Sequence, residues 1–339
     1  MWSKCFATVM TFSLFSISPI WAAGQVNIYS ARQEVLIKPL LDRFSAQTGI
    51  RVNLVAGNAD ALIQRLASEG ANSPADVLLT VDAGNLNRAK ELGLFRPIQS
   101  ATLARSVPAA YRDPAGHWFG LSMRARPIMV AKDRVDAATL STYQDLADAR
   151  WRNKVCVRSS SNVYNQSMVS AMIAQQGVPA TETWARGLVA NFARPPQGGD
   201  RDQIKALAAG QCDVALVNTY YLGGMLNASQ AEDKAAAAKV AIIWPNQKER
   251  GVHVNISGVG VTRHAKNRDN ALRLLEFLVS EEAQAWYAEA NYEYPVRPGT
   301  PVSRTLAAWG TFKADELNLS ELGKYNAEAV RLMDRARWR

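Results

Sequence analysis

Apolar positions along the chain alternate between two rhythms. Short apolar runs at residues 25–29, 51–55 and 76–80 read as buried strands. Between them, Leu36, Ile37, Leu40, Leu41 and Phe44 recur at helical spacing over residues 34–47, with Gly49 ending that helix. Leu62, Ile63 and Leu66 mark one face of a second helix over residues 59–69. A further series places strands at residues 126–131, 154–158, 213–217 and 240–244 and helices at 165–176, 181–192 and 201–209. The alanine run at 235–238 belongs to a helix, residues 194–199 form a loop, and 271–290 makes two helices split near Ser280. Residues 258–262 return the chain to the first set. The pattern predicts α/β architecture, with parallel-rich sheets flanked by helices. Two such units joined by a double crossing of the chain imply a cleft that can hinge shut.

The first residues break this pattern. Lys4 is followed by a charge-free apolar run from residue 6 to 21 and by Ala22, Ala23 and Gly24. That layout is a secretory signal peptide, residues 1–23, and the run is short for a bilayer span. The mature chain is expected to be exported, without stable membrane insertion, and carries 38 basic against 30 acidic residues, because the leader removes one Lys from the 39 in the whole chain. The excess is spread along the chain, which argues against nucleic acid as a partner. Three His, with no HExxH and no Cys pair at zinc spacing, argue against a zinc enzyme. Ser159, Ser160 and Ser161 lack a nucleophile-elbow context, and Gly198-Gly199 is followed by no GK[ST]. The chain is therefore read as a binding protein and not an enzyme.

Ligands of α/β proteins sit beyond the carboxyl ends of strands. Four of the ten tyrosines fall there: Tyr29 after the first strand, Tyr164 after the strand and loop at 154–163, and Tyr220 and Tyr221 after the strand at 213–217. A phenol, with a pKa near 10, is a poor ligand until a hard, highly charged cation strips its proton. Four phenolates on a trivalent ion leave one excess negative charge, which Arg32, Arg124 and Arg126 are placed to offset. Taken singly, each tyrosine is more often a packed residue with a satisfied hydroxyl. Asp82 suits a helix N-cap and His253 a hydrogen-bonded hinge position.

The mature chain resembles the ferric-iron-binding periplasmic proteins of bacterial ABC importers, especially their cyanobacterial-like branch. The resemblance covers nearly all of residues 25–300. It rests on IYSARQ (28–33), SEGANSPADVLLTVDAGNL (68–86), WFGLSMRARPIM (118–129), RSSSNVYNQS (158–167), NFARPP (191–196), VNTYYL (217–222) and HVNISGVGV (253–261). It implies the two-domain periplasmic binding protein fold, with one lobe from 24–122 and 254–300, a second from 123–253 and a C-terminal helical segment, 301–339. It implies a monomer that binds Fe3+ in the interdomain cleft through Tyr29, Tyr164, Tyr220 and Tyr221 and hands it to an inner-membrane ABC permease. Arg124 or Arg126 resembles a residue that holds a synergistic anion such as carbonate or balances charge around the site. Gln33 stands where many relatives have His, which points to an all-tyrosine site completed by water or carbonate. With Tyr29 in one lobe and the other ligands in the second, iron would bridge a closed cleft. Other solutes of the same fold, such as thiosulfate, a polyamine or thiamine, form the alternative.

Cys5 leaves with the leader, so Cys156 and Cys212 remain, each eight residues before a candidate ligand tyrosine. If their strands are neighbours, a disulfide joins them in an oxidising compartment. Two buried free thiols are the alternative.

Overall fold

The computed structural model describes residues 24–339, so the expected signal peptide lies outside the described residues. Ten strands form two sheets: β1 (Gln25–Ser30), β2 (Arg51–Ala56), β3 (Val77–Thr80), β4 (Phe119–Ala125), β5 (Ile128–Ala131), β6 (Val155–Cys156), β7 (Val214–Leu216), β8 (Val240–Ile243), β9 (Val254–Val261) and β10 (Tyr294–Pro295). The larger sheet has the order β10-β4-β9-β3-β1-β2 and the smaller β6-β7-β5-β8. Each sheet, with its helices, is the centre of one lobe. Among the described residues no helix is long and apolar enough to cross a membrane.

The expected parallel-rich sheets prove to be mixed. Parallel pairing is confined to β1–β2, β1–β3 and β6–β7. β9 runs antiparallel to both β3 and β4, and β5 runs antiparallel to both β7 and β8. The antiparallel strands include those that carry the chain between lobes, and a strand arriving from the other lobe needs no helical crossover. The crossings lie between β4 and β5 and between β8 and β9. Residues 123–125, expected in the second lobe, complete β4 in the larger sheet. β4 escapes the apolar rhythm because its seven residues, including Ser122 and Arg124, are all buried and so do not alternate.

At the hinge the crossing segments meet through one phenol. The Arg126 N–H donates to the His253 carbonyl at 3.0 Å. The return bond is opened out by Tyr143, whose hydroxyl accepts from the His253 N–H at 3.1 Å and donates to the Arg126 carbonyl at 2.7 Å. His253 is kept neutral, its pKa pushed down to about 3 by burial and then by Arg126, Arg250 and Arg124.

The helices follow the sequence pattern closely. Ala59–Glu69 is capped by Asn58, and Arg268–Leu278 and Glu281–Ala290 are separated at Ser280, which caps the second. Val163–Ala190 is broken at Gly177, whose φ of 80° lies where side chains are disfavoured, two residues before Pro179. The C-terminal segment straps the two lobes. Leu319 N–H donates to the Ala110 carbonyl in the larger lobe. Trp338 packs against Trp184 and Phe192 in the smaller lobe and donates to the Arg158 carbonyl at 2.9 Å.

Cys156, in β6, and Cys212, two residues before β7, form a disulfide with a Cα separation of 5.9 Å. The register of the two strands sets Val155 beside Val214, so the cysteines share the amino edge of the sheet. They lie 56 residues apart, and a loop of that size stabilises by about 4 kcal/mol in the chain-entropy model. Urea titration of the Cys156→Ala, Cys212→Ala protein should show a loss of up to about that size. Unchanged stability would mean that the bridge constrains nothing.

Candidate metal centre

Three of the four candidate tyrosines come together at the amino ends of two helices in the smaller lobe. Tyr164 lies in the first turn of Val163–Ala190, where the Asn162 side chain accepts its N–H at 3.2 Å. Tyr220 and Tyr221 lie in the first turn of Thr219–Leu226, just beyond β7. The Tyr220 hydroxyl donates to that of Tyr164 at 3.0 Å. The rings of Tyr220 and Tyr221 are 4.2 Å apart between centroids. Helix N-termini carry partial positive charge, so both helices favour phenolate over phenol at these positions. Burial works the other way. It raises the Tyr220 and Tyr221 pKa, and Tyr164 adds to the effect on both. Without a cation Tyr220 and Tyr221 therefore stay protonated.

Tyr29 is not brought to this cluster. Its hydroxyl donates to both oxygens of Glu69 at 2.9 Å, and its ring lies 4.8 Å from the Arg65 guanidinium carbon. Strand alternation explains the miss: Tyr29 faces the helix Ala59–Glu69, and the residues that reach the cleft come just after β1. Burial and then Glu69 raise its pKa.

The phenol cluster opens on a cavity of about 400 Å³, lined from the larger lobe by Arg32, Gln33, Val81, Arg124 and Tyr292 among others. Arg32 is fully engaged: Nη2 meets Glu293 at 2.5 Å, Nη1 meets Ser257 at 2.7 Å and Nε meets the Leu36 carbonyl at 3.0 Å. Gln33 reaches the same wall and offers a neutral amide. Arg124 and Arg126, left open by the sequence, differ sharply. Arg126 bonds to Asp200, Asn218 and Asn165 at 3.2, 3.0 and 2.6 Å. Arg124 donates through Nη2 to the Val81 carbonyl and lies 4.0 Å from Asp82. Among the described residues its Nε and Nη1 have no hydrogen-bond partner, although the side chain is buried. Its guanidinium carbon lies 5.5 Å from the Tyr164 ring centroid. Asp82 does cap a helix, accepting from Gly84 N–H at 2.7 Å, and it also accepts from Ser167 of the smaller lobe at 2.7 Å.

Tyr292 was not singled out by the sequence. It follows the helix Glu281–Ala290, with a φ of 53° that is unusual for an aromatic residue. A Cβ on Gly223 would lie 2.6 Å from the Tyr292 Cβ, so glycine at 223 lets the tyrosine-bearing helix meet the larger lobe. A larger groove of about 730 Å³ lies beside the C-terminal helices. It is lined by mixed charges and no tyrosine. Among the described residues no group of three or more His, Cys, Asp or Glu converges as a metal site.

Residues 72–314 match the bacterial extracellular solute-binding proteins. The chain belongs to that family. Its relatives include iron uptake protein A1 of Synechocystis sp., 49% identical with 93% of this chain and 88% of the relative covered. A solved Trichodesmium structure, described as IdiA (FutA) in complex with iron and citrate ligands, is 51% identical with a TM-score of 0.90. It is covered completely by 93% of this chain. The Bordetella ferric binding protein is 45% identical with a TM-score of 0.86, covering 93% of this chain and 99% of its own. The two-lobed α/β architecture described above is that of these solute-binding proteins.

Because the Tyr29 hydroxyl is bound to Glu69 outside the cavity, Tyr29→Phe should cost about 1–2 kcal/mol in urea melts. No loss at all would show that the Tyr29–Glu69 bond does not form in solution.

Proposed function

We propose that this chain is the periplasmic solute-binding component of an iron ABC importer, and that Tyr164, Tyr220 and Tyr221 bind Fe3+ as phenolates. The convergence of three phenols beside an arginine whose Nε and Nη1 have no partner among the described residues carries this reading. A trivalent ion supplies the charge needed to strip protons that burial otherwise retains. Three phenolates neutralise it, one fewer than the sequence suggested. The surrounding Arg32, Arg126 and Arg158 are each paired with a carboxylate. Arg124 lies 4.0 Å from Asp82 but keeps Nε and Nη1 without a partner among the described residues, and a small oxyanion such as carbonate fits between it and the metal through charge-assisted hydrogen bonds. Gln33 borders the same open side. The names of the relatives from Synechocystis, Trichodesmium and Bordetella support iron as the solute.

Function follows as capture and delivery without turnover. The ion enters between the lobes, and contacts from the larger lobe through Arg124 and the anion favour a closed state. The closed monomer docks on an inner-membrane permease. Reduction to the ferrous ion removes one charge from a site built on phenolates and so favours release. Thiosulfate, a polyamine or thiamine would leave the three phenols without a role.

The iron-loaded protein should absorb visible light through tyrosinate-to-iron charge transfer. Changing Tyr220 and Tyr221 together to Phe should abolish that band. It should also lower ferric affinity by more than the roughly 10–100-fold typical of outer-shell changes. Wild-type affinity in this double variant, measured by chelator competition, would overturn the assignment.

Metal binding must also release protons. Raised phenol pKa values increase this competition, so affinity should fall on acidification, by up to about three log units per pH unit if all three phenols are neutral when free. A flat affinity between neutral and mildly acidic pH would exclude phenolate ligation.

A further inference from the structure

Beneath the phenols lies a carboxylate that the binding chemistry does not use. Asp200 begins the helix Asp200–Ala208 and is 1% exposed. Its Oδ1 accepts the Asn218 N–H at 3.0 Å and Arg126 Nη1 at 3.2 Å. Its Oδ2 accepts Arg158 Nη1 at 2.6 Å. Asn218 is the residue from which the helix bearing Tyr220 and Tyr221 starts. The Arg158 guanidinium carbon lies 5.5 Å from the Tyr164 ring centroid. Arg126 completes the linkage by holding both Asn218 and Asn165, the residue after Tyr164. Two segments 56 residues apart in sequence, whose tyrosine hydroxyls meet at 3.0 Å, are thus tied to one carboxylate.

We infer that Asp200 is the positioning residue of the iron site, setting Tyr164 against the Tyr220–Tyr221 pair and cancelling arginine charge beneath them. The inference rests on the assignment of those three tyrosines as ligands. It follows from geometry and from charge. Asp200 is buried, so its contribution passes through Asn218, Arg126 and Arg158. Fixed ligands lose little freedom when the ion arrives, which is how a supporting shell raises affinity. The charge matters as well. Arg126 and Arg158 share this single carboxylate, and without it both would repel a trivalent cation from close range. A carboxamide in its place could still accept from the Asn218 N–H but could not neutralise two guanidiniums.

The test compares Asp200→Asn with wild type and with the Tyr220→Phe, Tyr221→Phe protein, using ferric ion with carbonate as the probe. Affinity is read by chelator competition and ligand geometry by the charge-transfer band. A merely structural residue would move thermal stability alone. The expected result is a folded Asp200→Asn protein that still colours with iron, with affinity lowered by at least about tenfold and a shifted band. Unchanged affinity and band in a folded Asp200→Asn protein overturn the inference. Should Asp200→Asn fail to fold, Asp200→Glu decides: it keeps the charge but displaces the oxygens. A shifted band with weaker binding supports the positioning role, and a wild-type band and affinity refute it. Retained affinity and colour in the Tyr220→Phe, Tyr221→Phe control would instead show that the ligand assignment itself has failed.

Discussion

Three half-buried phenols set against one another are the constraint on which the rest of the structure depends. Burial raises the Tyr220 and Tyr221 pKa, and the neighbouring Tyr164 adds to the cost of ionising both. Helix N-termini lower that cost, but no neutral arrangement removes it. On the proposed assignment the cluster is silent toward weakly charged solutes and responsive to an ion charged enough to displace the protons, so that selectivity comes from placing oxygen donors where ionisation needs a hard trivalent partner.

That constraint divides the labour between lobes. The smaller lobe holds all three phenols on helices that start beyond its sheet, while the larger lobe supplies Arg124, Gln33 and Tyr292 across the cavity. On the proposed assignment, closure is coupled to the charge balance at the metal without a phenol from each side. At the hinge Tyr143 links the two crossing segments through Arg126 and His253. Because Arg126 also bonds to Asn165 and Asn218, the hinge and the helices that carry the three tyrosines share one residue.

The strand-end rule made Tyr164, Tyr220 and Tyr221 legible, because short strands deliver the following residues directly to the cleft. The same rule misplaced Tyr29. Its strand runs one residue further, to Ser30, and alternation turns the ring toward Glu69. Tyr292 carries no such mark. It reaches the cavity through a left-handed backbone turn and through a glycine in the opposite lobe, neither visible as periodicity. Arg124 and Arg126 sit at equivalent spacing in the sequence, and only their partners distinguish them: Arg126 bonds to Asp200, Asn218 and Asn165, whereas Arg124 meets the Val81 carbonyl and leaves Nε and Nη1 without a partner among the described residues. The cysteine pair was readable because equal offsets from two candidate tyrosines placed both at one sheet edge. β4 was missed because a fully buried strand has no solvent face to alternate with.

Anomalous diffraction at the iron edge, from crystals of the iron-loaded protein, tests the central claim most directly. Phenolate capture by the smaller lobe predicts one iron peak bonded to the hydroxyl oxygens of Tyr164, Tyr220 and Tyr221, with an oxyanion between iron and Arg124 and with Tyr29 still on Glu69. An iron peak bonded to Tyr29, or one lying away from the Tyr220–Tyr221 pair, would contradict it.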